Sequence, residues 1–224
     1  MGYYIDLSKI DLDQYLTKLK SADLLPSRMV LKEEIENNFE SIKGQGIFTV
    51  ETLLRSIDTK KKVQGFSKQS HIDENYLTIL ARELKSYRQP PNKIRDFPEL
   101  SPEVTKKLEE AGIKNTQQLY DKILTFEDRA KLSKELAVHG NDVLKLAKLT
   151  DLSRIRWVNH TFAHVLMEAG YDTAKKVANA NYEKLYETVR QLNEERKIYR
   201  AHIGLHDMKL CVEAARELSL EIEY

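Results

Sequence analysis

Residues 101–116 read Ser-Pro-Glu-Val-Thr-Lys-Lys-Leu-Glu-Glu-Ala-Gly-Ile-Lys-Asn-Thr, the order of a helix that starts, stops and turns a corner. Ser101-Pro102 ahead of Glu103 supplies an N-cap and a first-turn proline. Val104, Leu108 and Ala111 recur every three to four residues and so share one helix face. Gly112 follows where a left-handed backbone is needed, because it adopts that conformation at little steric cost. Ile113 then folds back on the helix just ended, and a threonine caps the next one.

The same corner is written three times. At an offset of 66 residues Gly46-Ile47 falls on Gly112-Ile113, Leu53 on Leu119, Ser67-Lys68 on Ser133-Lys134, Asn75 on Asn141, and Leu80-Ala81 on Leu146-Ala147. At an offset of 58, Leu108, Glu110, Ala111 and Gly112 fall on Leu166, Glu168, Ala169 and Gly170. The turns read Gly46-Ile47-Phe48-Thr49, Gly112-Ile113-Lys114-Asn115-Thr116 and Gly170-Tyr171-Asp172-Thr173. Phe162, Leu166 and Ala169 repeat the core spacing, and Asn159 stands where Ser101 does. Three related units follow, roughly 26–88, 96–148 and 150–218. No strand-like alternation is sustained, so the predicted fold class is all-α.

Gln89-Pro90-Pro91-Asn92 is the one strong helix breaker, and a joint is predicted there. The division is then an N-terminal arm at 1–25, a first unit at 26–92, and the second and third units at 93–224 packed as one body. Composition agrees with helices: of 224 residues, 41% are apolar and 32% charged, with 8 Gly and 5 Pro, which argues against disorder and against Gly/Pro-rich β designs. No apolar run approaches the roughly 18 residues that span a bilayer. The stretch from Met1 to Asp13 carries acids rather than a signal pattern. A cytoplasmic chain without a membrane partner is expected.

The stretches Phe97-Pro98-Glu99-Leu100-Ser101-Pro102, Leu108 to Ile113, Leu149 to Asn159 and Glu168 to Thr173 resemble the bacterial domain-of-unknown-function 4332 family. That resemblance implies three tandem helix-hairpin-helix-like units, similar to sterile-alpha-motif-like domains, and no assigned activity. Hairpins of the helix-hairpin-helix type carry Gly-apolar-Gly, which lets backbone N–H groups approach a phosphate. This chain departs from the pattern with Glu99-Leu100-Ser101 and Trp157-Val158-Asn159. A carboxylate repels phosphate and an indole blocks close approach.

Two groups of residues are candidates for binding a partner. Arg154, Arg156, Trp157, Asn159 and His160 bring guanidinium groups, an indole and an amide into one hairpin, the residue types that dominate interface anchors and base stacking. The competing reading makes Trp157 a core plug and pairs Arg154 with Asp151. Lys60, Lys61, Lys62 and Lys68 belong to the most basic region, Pro26 to Arg95, with 13 Lys and Arg against 9 Asp and Glu. They could face an anionic ligand, or form a solvated helix face. Net charge over the chain is only +1, unlike a strongly basic nucleic-acid binder.

His160 with His164, and His202 with His206, have the four-residue spacing of paired metal ligands. Surface or capping roles are the expected ones, with no metal and no cofactor. Cys211 lies in the apolar run Leu210-Cys211-Val212, as a core thiol does, and no phosphate-binding or nucleophile motif occurs. The expected function is a non-catalytic interaction or scaffold protein holding a protein partner. The alternative is a nucleic-acid-associated module using the basic first unit or the 154–160 hairpin.

Overall fold

The computed structural model describes residues 2–224; Met1, first residue of the expected arm, lies outside them. The described chain is all-α. Its helices are α1 (Leu12–Ser21), α2 (Ile35–Gly44), α3 (Val50–Ile57), α4 (Lys60–Ser70), α5 (Glu74–Lys85), α6 (Pro102–Glu110), α7 (Thr116–Tyr120), α8 (Phe126–Leu136), α9 (Gly140–Leu152), α10 (His160–Glu168), α11 (Ala174–Ala178), α12 (Tyr182–Arg196) and α13 (Leu205–Arg216). Extended pairing among the described residues is confined to two isolated bridges, Asp11 with Thr49 and Lys93 with Asn115. No described helix is long and apolar enough to cross a membrane.

The offset of 66 reappears as hydrogen bonds. Thr59 and Thr125 cap α4 and α8 by accepting from the backbone N–H three residues on, and both helices end on left-handed residues, His71 and Ala137. Ser67 donates its hydroxyl to Ile72 O at 2.6 Å, and Ser133 donates to Val138 O at 2.7 Å. Asp73 and His139 then cap α5 and α9. At the offset of 58, α6 falls on α10 and α7 on α11, residue for residue. The chain thus writes equivalent start and stop signals at equivalent places.

The corners close as their glycines demand. Gly46, Gly112 and Gly170 stand at φ 76°, 80° and 85°. Ile113 N–H reaches back to Leu108 O at 2.8 Å and Tyr171 N–H to Leu166 O at 2.9 Å, so carbonyls of the last turn are satisfied. The next helices are capped by Thr49, Asn115 and Thr173, each three residues past its glycine. Thr116, read as the cap of the second corner, is the first residue of α7 and is fully buried. Ser101 occupies the cap position of α6 without a capping bond, with Pro102 first in the helix; Asn159 caps α10 by accepting from Phe162 N–H.

A Cβ built at Gly112 or Gly170 meets nothing within 4 Å. The cost of substitution there is therefore backbone strain rather than collision. Gly112→Val and Gly170→Val are each expected to lose about 1 kcal/mol or more in denaturant unfolding. Gly140→Ala, in a helix and without positive φ, should lose nothing. Unchanged midpoints for both valine variants would show that the left-handed turns do not hold these corners.

The chain divides into two compact units. One runs from Ile5 to Gln89. Its core gathers Leu7, Leu12, Tyr15 and Leu19 with Phe39, Ile42, Leu53, Ile57, Leu77 and Leu84. Most of the segment expected as an arm therefore supplies core side chains to this unit. Leu12 N–H donates to Phe48 O and Val50 N–H to Ile10 O, each at 3.0 Å, stitching that segment to the first corner.

The other unit joins residues 2–4 to 90–224. Within it Tyr3 packs with Ile94, Val104, Leu108, Leu119, Tyr120 and Leu146, and its hydroxyl lies 2.6 Å from Thr116 Oγ1. Asn92, next to the prolines, is bound at both ends: its carbonyl accepts from Thr116 N–H at 2.9 Å and its side chain from His160 N–H at 3.1 Å.

Candidate interaction surface

The turn between α9 and α10 holds one aromatic side chain out of the core. Ile155 and Val158 are buried on either side of Trp157, which is the chain's single tryptophan. Trp157 takes φ 68° and keeps 39% of its surface exposed. The guanidinium of Arg156 lies 4.2 Å from the indole centroid, a cation–π contact, with Glu217 4.0 Å behind it. Asn159 is exposed and its amide oxygen is engaged in capping α10; the His160 ring stands edge-on to Phe97 at 6.2 Å. Trp157 is thus a surface side chain and does not plug the core.

Arg154 points the other way. It is buried, and its Nε donates to Tyr3 O at 3.2 Å, Nη1 to Asp151 Oδ1 at 3.3 Å, and Nη2 to Ser219 O at 3.0 Å and Ser219 Oγ at 3.1 Å. Its guanidinium also lies 4.6 Å from the centroid of Tyr120. Asp151 accepts from Ala174 N–H at 2.9 Å and Tyr224 O–H at 3.2 Å. Burial pushes the Asp151 carboxyl up, while the Ala174 N–H and Arg154 pull it back. Arg154 and Arg156, both read as candidate contacts, are buried: the first ties four segments together and the second backs the indole. Residue types alone do not distinguish an anchor from a brace, because the carbonyls of Tyr3 and Ser219 reach Arg154 only after folding.

Lys60, Lys61, Lys62 and Lys68 are exposed on α4. The first three stand in the opening turn, where the helix end is already positive. Lys62 is engaged, donating to Arg55 O at 2.8 Å and pairing with Asp58 at 3.0 Å. A cleft beside them is lined by Lys60, Arg82 and Lys85 but also by Asp58 and Glu74.

The histidines separate. His202 lies before α13 and is exposed, whereas His206 is half-buried on it, so these two do not share a helix face. His164 is 1% exposed, inside α10, and faces Glu99 rather than His160. Its Nε2 lies 3.7 Å from Glu99 Oε2, and potential ligand atoms of Glu99, His164 and Glu168 all fall within 4.8 Å of one another. Burial holds the imidazole below the usual histidine range, against the pull of Glu99 and Glu168. The four-residue spacing of His164 and Glu168 was readable; the arrival of Glu99 from another turn was not. Cys211 is buried, and burial pushes its thiol up to about 12.

A family model described as Domain of unknown function (DUF4332) matches residues 98–218, more than half of the chain. The matched span contains the turns of Glu99 and Trp157 and the helices α6 to α13. Comparison with curated proteins gave no match, and comparison with solved structures gave none.

Proposed function

We propose, from the premise that the chain belongs to the DUF4332 family, that it works as a non-catalytic helical interaction module that grips a protein partner at Trp157. One observation carries this reading: a bulky aromatic is held exposed in a left-handed turn. A non-glycine residue there costs on the order of 1–2 kcal/mol. Burying the indole would offset that cost, yet it stays 39% exposed. The backbone is fixed by Ile155 and Val158, and the ring rests on Arg156. A side chain oriented before binding loses little conformational entropy when a partner arrives. Tryptophan backed by arginine is the composition of an interface anchor. The protonated, enclosed Cys211 thiol also suits a protein that performs no nucleophilic chemistry.

The second reading, binding of nucleic acid, draws on the exposed lysines of α4. The test compares tagged wild-type chain, Trp157→Ala, and a variant with Lys60, Lys61, Lys62 and Lys68 all changed to Gln. Each is recovered from its native cells with and without nuclease, and bound proteins are identified and titrated by calorimetry, which reads wild type and both variants alike. A nuclease-resistant protein partner is expected, with affinity lowered by about 2 kcal/mol or more in Trp157→Ala, while the lysine variant changes mainly the on-rate. Binding to DNA or RNA tighter than about micromolar at physiological salt, flattened in its salt dependence by the lysine variant, would instead select the nucleic-acid reading.

A further inference from the structure

We propose that Glu99, His164 and Glu168 form a site for one divalent transition-metal ion of the zinc class. His164 and Glu168 stand one turn apart on α10 and therefore project from the same face. Glu99 comes from the turn ahead of α6 with φ 55°, a left-handed conformation that brings its carboxylate to the His164 ring. Potential ligand atoms of the three residues already lie within 4.8 Å of one another.

The state of His164 singles this cluster out from ordinary surface acids. Its side chain is 1% exposed, and Nδ1 has no hydrogen-bond partner. Nε2 is 3.7 Å from Glu99 Oε2, too long for a hydrogen bond. Buried polar groups are normally satisfied, since leaving one unpaired is costly. A cation between Nε2 and the carboxylates gives Nε2 the partner that Glu99 does not provide at this distance; it does not engage Nδ1.

The chemistry of the donors selects the ion. One imidazole and two carboxylates suit zinc-like ions, whereas magnesium and calcium favour oxygen donors throughout. Three protein donors leave a fourth tetrahedral position to water or to a partner's side chain. Zinc–ligand bonds of about 2.0–2.2 Å require the donors to close up. Glu99, 64% exposed, can do so by side-chain rotation.

Two cations attend the site. Lys145 Nζ donates to Glu99 O at 3.1 Å and lies 3.9 Å from Glu99 Oε2, and Arg196 Nη1 donates to Glu168 Oε2 at 2.6 Å. They balance the paired carboxylates in the absence of an ion, and each carboxylate keeps a second oxygen. Bound metal would pin the Glu99 turn to α10.

The test titrates the full chain with Co²⁺ alone and with Zn²⁺ alone, following the visible absorption of tetrahedral Co²⁺, its displacement by Zn²⁺, and the melting temperature. One ion per chain and a rise in melting temperature are expected. Glu99→Gln and Glu168→Gln should each weaken binding by about tenfold or more. The double variant His202→Ala/His206→Ala should bind as wild type. His164→Ala removes a buried ring and could fail to fold, so the decision rests on the two glutamate variants, with folding followed by circular dichroism. Absence of Co²⁺ absorption at millimolar metal, wild-type affinity in either folded glutamate variant, or loss of binding in the His202/His206 variant would overturn the site.

Discussion

Arg154→Ala is expected to destabilise the protein by about 3–5 kcal/mol, enough to leave a marginal domain largely unfolded. The magnitude follows from what remains after truncation. Asp151 loses a cationic partner at a position where its side chain is only 4% exposed, and the carbonyls of Tyr3 and Ser219 lose their guanidinium donors. Water cannot replace these donors without entering the core beside Tyr120. Arg154→Lys should recover only part of the loss, because one ammonium cannot reach in the directions served by Nε, Nη1 and Nη2. Denaturant unfolding read by far-ultraviolet circular dichroism checks the result. A surface contact residue would behave otherwise, with a stability change within about 0.5 kcal/mol. Such a small change in Arg154→Ala would mean that the buried network is not what joins α9 to the chain's two ends.

The contrast between Arg154 and Trp157 shows how far the sequence is legible. Helices, corners and their glycines follow from local rules: a left-handed glycine, a cap three residues later and apolar residues every three to four positions are each encoded within a dozen residues. The offsets of 66 and 58 were visible for the same reason, since repeated caps need repeated side chains. Which way an arginine points depends on partners more than 60 residues away, Tyr3 and Ser219, and no local pattern carries that information. The same limit hid Glu99. On the chain it is an acid in a turn that lacks glycine; in the fold its carboxylate stands against the His164 ring. Thr116 shows the opposite error, in which a correct rule was applied one residue late. Asn115 can accept the capping bond as well as threonine can, and the buried methyl of Thr116 suits the first helical position.

The segment 5–25 is the other place where local reading falls short, and Leu12→Ala with Phe39→Ala tests its role. Both side chains belong to one core cluster, Leu12 being 1% exposed and Phe39 not at all. The Tyr15 ring, one turn beyond Leu12 on α1, stands 6.1 Å from Phe39 of α2 at an interplanar angle of 33°. Truncating Phe39 opens a cavity in that cluster and should cost about 3–5 kcal/mol; truncating Leu12 should cost about 2–5 kcal/mol by the same mechanism. Equivalence is the informative point. If residues 5–25 were an arm docked on a finished core, Leu12→Ala would release the arm and leave the main unfolding transition in place, because the core of 26–89 would still be whole. As part of the core, α1 cannot leave without uncovering Phe39, against which its Tyr15 ring stands. Both variants should therefore shift one cooperative transition, read by circular dichroism in denaturant, with no separate early phase in Leu12→Ala. Hydrogen exchange supplies an independent view: the amides of Leu12 and Val50, bonded to the Phe48 and Ile10 carbonyls, should open with the free energy of the helices rather than with that of a fraying end. Fast exchange at both amides, with slow exchange retained in α3 and α5, would make the segment an arm after all.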